Sequence, residues 1–432
     1  MPRYATKETT SALLALAILA IIAYLPALSQ PFIEDDYPNI RLARVYGPIS
    51  GWDEMANDSV HRVRATTFVL SYAVERVFGL APAAFYAVSI LLHIFNCWLL
   101  YAIGRWRVIG YDVSFWAAAF FAVYEGHQEA VMWLSGASEL LMFLFGFLSF
   151  LCWLRFLEKE VARWKWLGLS FLCFLLTLLS KESSVIFIPL FALPLLFPRR
   201  RLRDALYLLP FVAIGAVYVI SIFMTRSYSF RFYDKSFVWS APFLITWTKS
   251  YGAMLWFWGL SALLALLWWR ARQQLFLLAL IWMGIGFIPY MFVDYMHRIP
   301  SRQTYLASAG LAWLIGAAIV RMKVRWREKH PWLVTAVLLI IVFHNVIYLW
   351  TVKRKHFLIR AEPTERLLSL ARSTDRPIFI KCFPLAPLHA EAALDLVLNK
   401  PADALIWNEE EARKHPQAAT FCYYSTARVS KR

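Results

Sequence analysis

The chain has 432 residues, of which 60% are hydrophobic, 17% aromatic and only 17% charged, against roughly 25% charged in soluble proteins. Its formal charge of +17 sits in short loops between apolar runs and not on a polar domain, which argues against nucleic acid as a partner and for a multispanning protein in the lipid bilayer. Twenty Trp and twenty Tyr suit many water–lipid boundaries, although core packing accounts for some of them equally well.

A helix needs about 20 apolar residues to cross the hydrocarbon. On that basis the sequence holds eleven candidates: 10–29, 83–104, 112–125, 131–154, 164–180, 184–198, 205–224, 250–269, 275–292, 304–320 and 332–350. Several are short, so the count is good to one or two. The first has the basic start and short apolar core of a secretory leader, but its length and the spans after it read as an uncleaved first helix. Thr66 to Leu80 is apolar on average yet carries Glu75 and Arg76, and reads as a helix lying on the outer surface.

Basic loops set the orientation. With the N-terminus inside, the inner segments hold Arg3 and Lys7, Arg105 and Arg107, Arg155 with Lys159, Arg163 and Lys165, Arg199-Arg200-Arg201 with Arg203, Arg270 and Arg272, and Arg321 through Lys329, as the positive-inside rule requires. The outer connections are then 30–82, 126–130, 181–183, 225–249 and 293–303, with a tail from about 353. The chain divides into a membrane unit, 1–352, and a small extracytoplasmic unit, 353–432. In the tail, Ile378 to Cys382, Ala404 to Trp407 and Thr420 to Tyr424 read as strands, and Leu388 to Leu398 as an amphipathic helix. The fold class is an all-α polytopic membrane protein with about eleven spans and a C-terminal α/β appendage. Cys97, Cys152 and Cys173 fall in spans. Cys382 and Cys422 could form a disulfide outside the cytoplasm, two separate thiols being the commoner arrangement, and no zinc-type spacing exists.

Four spots of ionisable residues fall on the predicted outer face. The first is Phe32-Ile33-Glu34-Asp35-Asp36-Tyr37. Asp35 and Asp36 repel in a low-dielectric setting and titrate as a unit; such a carboxylate can take a proton from an attacking hydroxyl or bind a divalent cation. The alternative is a solvated turn capping a helix over Asn39 to Val45. His127 and Glu129 occupy a turn that leaves almost no loop, with Glu139 two turns into the next helix; a wet cavity or a satisfied polar cluster between helices would explain them. Lys181 and Glu182 end a span, where they could pair with each other or snorkel, or Lys181 could hold a phosphate. Arg298 and Arg302 would add bidentate forks for phosphate oxygens, with Arg64 a weaker candidate. His93, inside a span, reads as a hydrogen-bonded packing residue. A carboxylate base beside a cationic pocket suits a reaction that expels a lipid-bound phosphate from a sugar.

The order of Phe32-Ile33-Glu34-Asp35-Asp36, Arg64-Ala65-Thr66, Leu91-Leu92-His93, His127-Gln128-Glu129-Ala130-Val131 with Ser135-Gly136 and Glu139-Leu140-Leu141, then Ser180-Lys181-Glu182, resembles the C-type membrane glycosyltransferases. The pattern is similar to that of protein O-mannosyltransferases with transmembrane and tetratricopeptide segments and their bacterial relatives, here without the repeats. Arg298 through Gly310, with Pro300-Ser301 and Tyr305-Leu306-Ala307-Ser308, is similar to a late loop of that group and adds Tyr305 to the substrate-binding candidates. The resemblance covers residues 10 to 320 and implies a C-type fold. It makes Asp35 the leading catalytic acid and implies inverting transfer of a hexose, mannose favoured, from a polyprenyl-phosphate donor. It is silent on metal, and no cofactor is otherwise indicated. Tyr124-Glu125, Ala137 and Ala65 depart from the pattern and leave the acceptor open among a protein hydroxyl, a lipid-linked saccharide and a surface glycan. The rival reading is a transporter or flippase for an anionic lipid or solute. It would place charges near the midplane in two related halves, whereas a noncatalytic scaffold would not need acids and bases gathered on one side.

Overall fold

The computed structural model describes residues 3–58, 61–158, 163–197, 202–224, 238, 240–269, 273–292, 299–326 and 330–423. Lys159, Arg199, Arg200, Arg201, Arg270, Arg272, Arg298, Lys329 and Tyr424, all used in the sequence reading, lie outside these residues. The protein is an integral membrane protein built almost wholly of helix. Helix covers most of each of the eleven apolar runs among the described residues. Among the described residues, six segments are long and apolar enough to cross a membrane alone: Thr9–Ser29, Pro82–Arg105, Leu134–Glu158, Arg203–Ile222, Gln273–Tyr290 and Trp332–Ser373.

The remaining runs differ from ideal spans by being short, broken or charged at one end. Tyr111–Val123 and Glu182–Leu196 are apolar but short. The run expected as one span over 250–269 is a broken pair, Phe243–Leu255 and Trp258–Trp268, bent by 76°. Phe257 sits between them at φ 48°, a left-handed conformation that interrupts the helical ladder without proline. The expected surface helix is present as Ala65–Phe78, pinned where the Thr66 amide donates to the Leu179 carbonyl at 3.1 Å.

Helices approach closely where side chains are absent. A Cβ on Gly316, in the helix Ser308–Trp326, would stand 2.4 Å from the Val113 carbonyl oxygen of Tyr111–Val123. Packing between apolar helices in lipid depends on such small residues. A column of buried rings, including Phe143, Phe147, Phe150, Trp282 and Trp313, fills the interior.

The last span does not stop at the membrane boundary. Pro331–Tyr348 continues through a wider turn at Leu349–Lys353 into Arg354–Ser373, which carries the chain to the appendage. There a three-stranded parallel sheet has the order β2-β1-β3, with β1 Ile378–Cys382, β2 Leu405–Ile406 and β3 Ala419–Cys422. Parallel pairing requires crossovers, supplied by the helices Pro387–Leu398 and Glu409–Lys414. The expectation of two separate thiols is corrected: Cys382 and Cys422 are register partners on β1 and β3 and form a disulfide, with Cα atoms 4.5 Å apart. Their pairing depends on strand register, which 40 residues of separation hide from a reading of spacing.

The appendage shares one apolar core with the acidic loop after the first span and the helix ends beside it. Phe32, Tyr37, Ile40, Phe85 and Leu134 pack in the same cluster as Leu367, Ile378, Ala390 and Leu394. Arg41 pairs with Asp395 at 3.2 Å, and the Tyr37 hydroxyl donates to Glu365 at 3.2 Å. The C-terminal unit is thereby seated directly on the acidic loop.

Candidate active site

The loop after the first span makes a tight turn. The Asp36 amide donates to the Ile33 carbonyl at 2.9 Å, and the Ile33 amide donates back to Asp36 Oδ2 at 3.0 Å. Glu34 within it has φ 45°, a conformation that costs a non-glycine residue on the order of 1 kcal/mol or more and persists only when neighbours hold it. Arg360 holds it, donating from Nε and Nη2 to the two Glu34 carboxylate oxygens at 3.0 and 2.5 Å. The turn sends the two aspartates to different environments.

Asp36 starts the helix Asp36–Tyr46 and is fully buried. Its Oδ1 accepts from the Ser135 amide and hydroxyl, both at 3.0 Å. Burial pushes its carboxyl up to about 7, against the opposing hydrogen bonds from Ile33 and Ser135. All of its good acceptor positions are occupied, so its role here is to tie the acidic loop to the segment around Trp133.

Asp35 is the accessible member, with about half of its side chain exposed. His389 of the appendage donates from Nε2 to Oδ1 at 2.9 Å. Partial burial raises the Asp35 carboxyl, but the hydrogen bond and charge of His389, with the charges of Arg302 and Arg360, outweigh it and hold the group below the ordinary carboxylate value. Both guanidinium groups lie over the Trp133 ring, Arg302 at 4.5 Å and Arg360 at 4.2 Å from its centroid, contacts each worth about 0.5–2 kcal/mol. Trp133 in turn donates to the Ile33 carbonyl at 3.3 Å. Arg302 makes no carboxylate pair among the described residues, and its amide donates to Glu129 Oε2 at 3.2 Å.

The four predicted spots are connected. Asp36 reaches Ser135, Glu129 reaches Arg302, Glu139 pairs with Lys181, and Arg64 forks onto Glu182 at 3.0 and 3.3 Å. Lys181 and Glu182 therefore do not pair with each other. Lys181 and Glu139 are both buried, and the Tyr290 hydroxyl donates to the other Glu139 oxygen at 3.4 Å. A phosphate at Lys181 would have to displace Glu139.

His127 and Tyr305 do not line a wet turn. His127 is fully buried, bonded through Nδ1 to the Phe121 carbonyl at 3.1 Å and through Nε2 to the Ser308 hydroxyl at 2.7 Å. Its ring centroid lies 4.5 Å from that of Tyr305, whose hydroxyl meets His93 Nδ1 at 2.6 Å. This is a satisfied polar cluster among aromatic rings, and His93 is part of it. Arg298 lies outside the described residues. Trp133, Arg360 and His389 were absent from the sequence reading, the last two because nothing local in a polar, amphipathic tail marks them.

Among the described residues no group of three or more His, Cys, Asp or Glu is gathered to hold a metal ion. Asp36 is saturated with donors, and Asp35 faces three cationic side chains. The residues present do not fit a divalent cation at this acid pair.

No family model matches the chain. It is 28% identical over 182 residues, 39% of its length, to the protein O-mannosyl-transferase Tmtc1 of Drosophila melanogaster, and 26% identical over 196 residues, 41% of its length, to a protein O-mannosyl-transferase of Caenorhabditis elegans. The matches span 20% and 27% of those relatives. Among solved structures, the oligosaccharyltransferase of Archaeoglobus fulgidus, tethered to an acceptor peptide, superposes over 89% of this chain and 63% of its own, with TM-score 0.53 and 12% identity. ArnT of Cupriavidus metallidurans, bound to undecaprenyl phosphate, superposes over 95% of this chain and 90% of its own, with TM-score 0.51 and 12% identity. The chain is a polytopic membrane protein with the fold of the C-type glycosyltransferases, similar over part of its length to protein O-mannosyl-transferases.

Proposed function

We propose that the protein is an inverting glycosyltransferase that moves a hexose, mannose favoured, from a polyprenyl-phosphate donor to an acceptor hydroxyl on the extracytoplasmic face, with its N-terminus cytoplasmic. The observation that carries this reading is Asp35, an accessible carboxylate kept ionised among Arg302, Arg360 and His389 on a C-type fold. The undecaprenyl phosphate held by ArnT supports a lipid-phosphate donor. The names of the sequence relatives and the acceptor peptide on the oligosaccharyltransferase favour a protein acceptor over a lipid-linked saccharide or a glycan.

In this scheme Asp35 takes the acceptor hydroxyl proton as its oxygen bonds to the anomeric carbon, on the face opposite the phosphate. The bond from that carbon to the phosphate oxygen breaks, and its electron pair leaves with the phosphate. Charge grows on the phosphate as the bond breaks, so a fixed guanidinium binds it more strongly in the transition state than before. Arg302 is suited to that work: Lys181 and Arg64 already face Glu139 and Glu182, and Arg302 is held over Trp133 with no carboxylate on its fork among the described residues.

The test is transfer of radiolabelled sugar by the purified protein in lipid. Polyprenyl-phosphate mannose, glucose, galactose and arabinose serve as donors, with an extract of the host envelope as acceptor. Wild type moves label, and Asp35→Asn moves it at least about 100-fold more slowly, the usual scale for loss of a general base. Transfer by Asp35→Asn at the wild-type rate would remove Asp35 from the chemistry. No label from any donor, with folded protein, would overturn the transferase assignment.

A further inference from the structure

The C-terminal unit contributes more than a cover. His389 lies near the start of the helix Pro387–Leu398, and both of its ring nitrogens face acceptors only. Nε2 meets Asp35 Oδ1 at 2.9 Å and Nδ1 meets the Ala386 carbonyl oxygen at 3.0 Å. A neutral imidazole can donate from one nitrogen, so both contacts are satisfied together only by the doubly protonated ring. The side chain is only 13% exposed, whereas that of Asp35 is 51% exposed, and Asp35 Oδ2 has no partner among the described residues. One carboxylate oxygen is fixed and the other faces outward.

We propose that His389 is the positioning residue of Asp35: as an imidazolium it anchors Oδ1 so that Oδ2 receives the acceptor proton, which makes the C-terminal unit part of the active site. The proposal rests on the transferase reading of Asp35. Asp35 is faced by His389 from the appendage, Arg302 from the turn Ser301–Thr304, Arg360 from the helix Arg354–Ser373, and its chain neighbours Glu34 and Asp36. His389 feels Asp35 and Glu34. Burial lowers the His389 ring, but the bonds to Asp35 and Ala386 and the charges of Asp35 and Glu34 raise it above its ordinary 6.5.

The signs define a window. His389, raised, holds its charge fully below pH 6.5 and loses it as pH climbs through the higher folded value. Asp35, lowered, is charged above its ordinary 3.8 and loses charge only as pH falls through a lower value. The pair is therefore intact from mildly acidic pH to somewhat above neutrality.

The experiment uses full-length protein in lipid. The first readout is the pH dependence of kcat/KM for wild type and His389→Gln. The wild type gives a bell whose alkaline limb is the loss of the imidazolium. His389→Gln loses that limb and moves the acid limb to higher pH, so that on the acid side the rate falls roughly tenfold for every pH unit the limb has moved. A purely structural role would scale the whole profile down without changing its shape, and that result overturns the proposal. The second readout needs no turnover: carbethoxylation of His389 by diethyl pyrocarbonate against pH, followed by peptide mass spectrometry. The half-reaction pH lies above 6.5 in wild type and falls in Asp35→Asn; an unchanged midpoint refutes the pairing. If wild type transfers no sugar while the midpoint still moves, the transferase reading and the role of His389 in it both fail, but the ion pair stands.

Discussion

Lys181 and Glu139 offer a sharp test of the buried charge between the helices. Replacing Lys181 by Met removes, among the described residues, the only cation bonded to the Glu139 carboxylate, which is itself 0% exposed. The carboxylate is left buried without its partner, and breaking one side of such a pair typically costs about 3–5 kcal/mol. The double variant Lys181→Met/Glu139→Leu removes both charges and should recover most of the loss, since apolar pairs often replace buried ion pairs at little cost. Cys97, Cys152 and Cys173 are buried thiols, so a thiol-reactive fluorophore reports unfolding in detergent or lipid without labelling. Single and double variants melting alike would refute this account of the pair.

Three further outcomes follow from the geometry. Arg302→Ala, measured by steady-state kinetics, should lower kcat/KM by 10-fold or more through loss of about 1.5–3 kcal/mol of charged hydrogen bonding to phosphate, with little change in melting. Cys382→Ser/Cys422→Ser opens a loop of 40 residues and should destabilise the appendage by about 4 kcal/mol in the chain-entropy account, read as faster limited proteolysis after residue 373 with the membrane helices intact. Asp36 carries a carboxyl raised from 3.8 to about 7, so the folded state binds the extra proton. Stability contributed by this group must fall as pH rises from about 4 through 7, and Asp36→Asn should flatten that slope in melting curves taken across the range.

Much of the membrane fold is legible because it follows from run length: a stretch of apolar residues must be helical in lipid wherever it falls. The break at Phe257 was not legible, since no proline marks it and a single nearby glycine, Gly259, is common within apolar helices in lipid. In the site, the acidic loop stands out by contrast with its surroundings, but the different fates of Asp35 and Asp36 depend on the Glu34 turn and on Ser135, a contact across 99 positions. For His127 the sequence leaves a wet cavity and a satisfied polar cluster both open, and Tyr305 shares its surroundings. A polar turn between spans suggests water, whereas Phe121 and Phe143 close around these rings and leave none of their surface exposed. Arg360 and His389 are invisible locally because a cation in a polar tail has no pattern until its partner is known.

The Glu34–Arg360 and Asp35–His389 contacts join residues 326 and 354 positions apart. During synthesis the acid is therefore inserted long before the groups that hold it exist. A chain still attached to the ribosome exposes an unsupported carboxylate turn, and these contacts form only when Arg360 and His389 have emerged and folded back. A nascent chain halted before residue 360 would hold the acidic turn in the membrane without either of these partners.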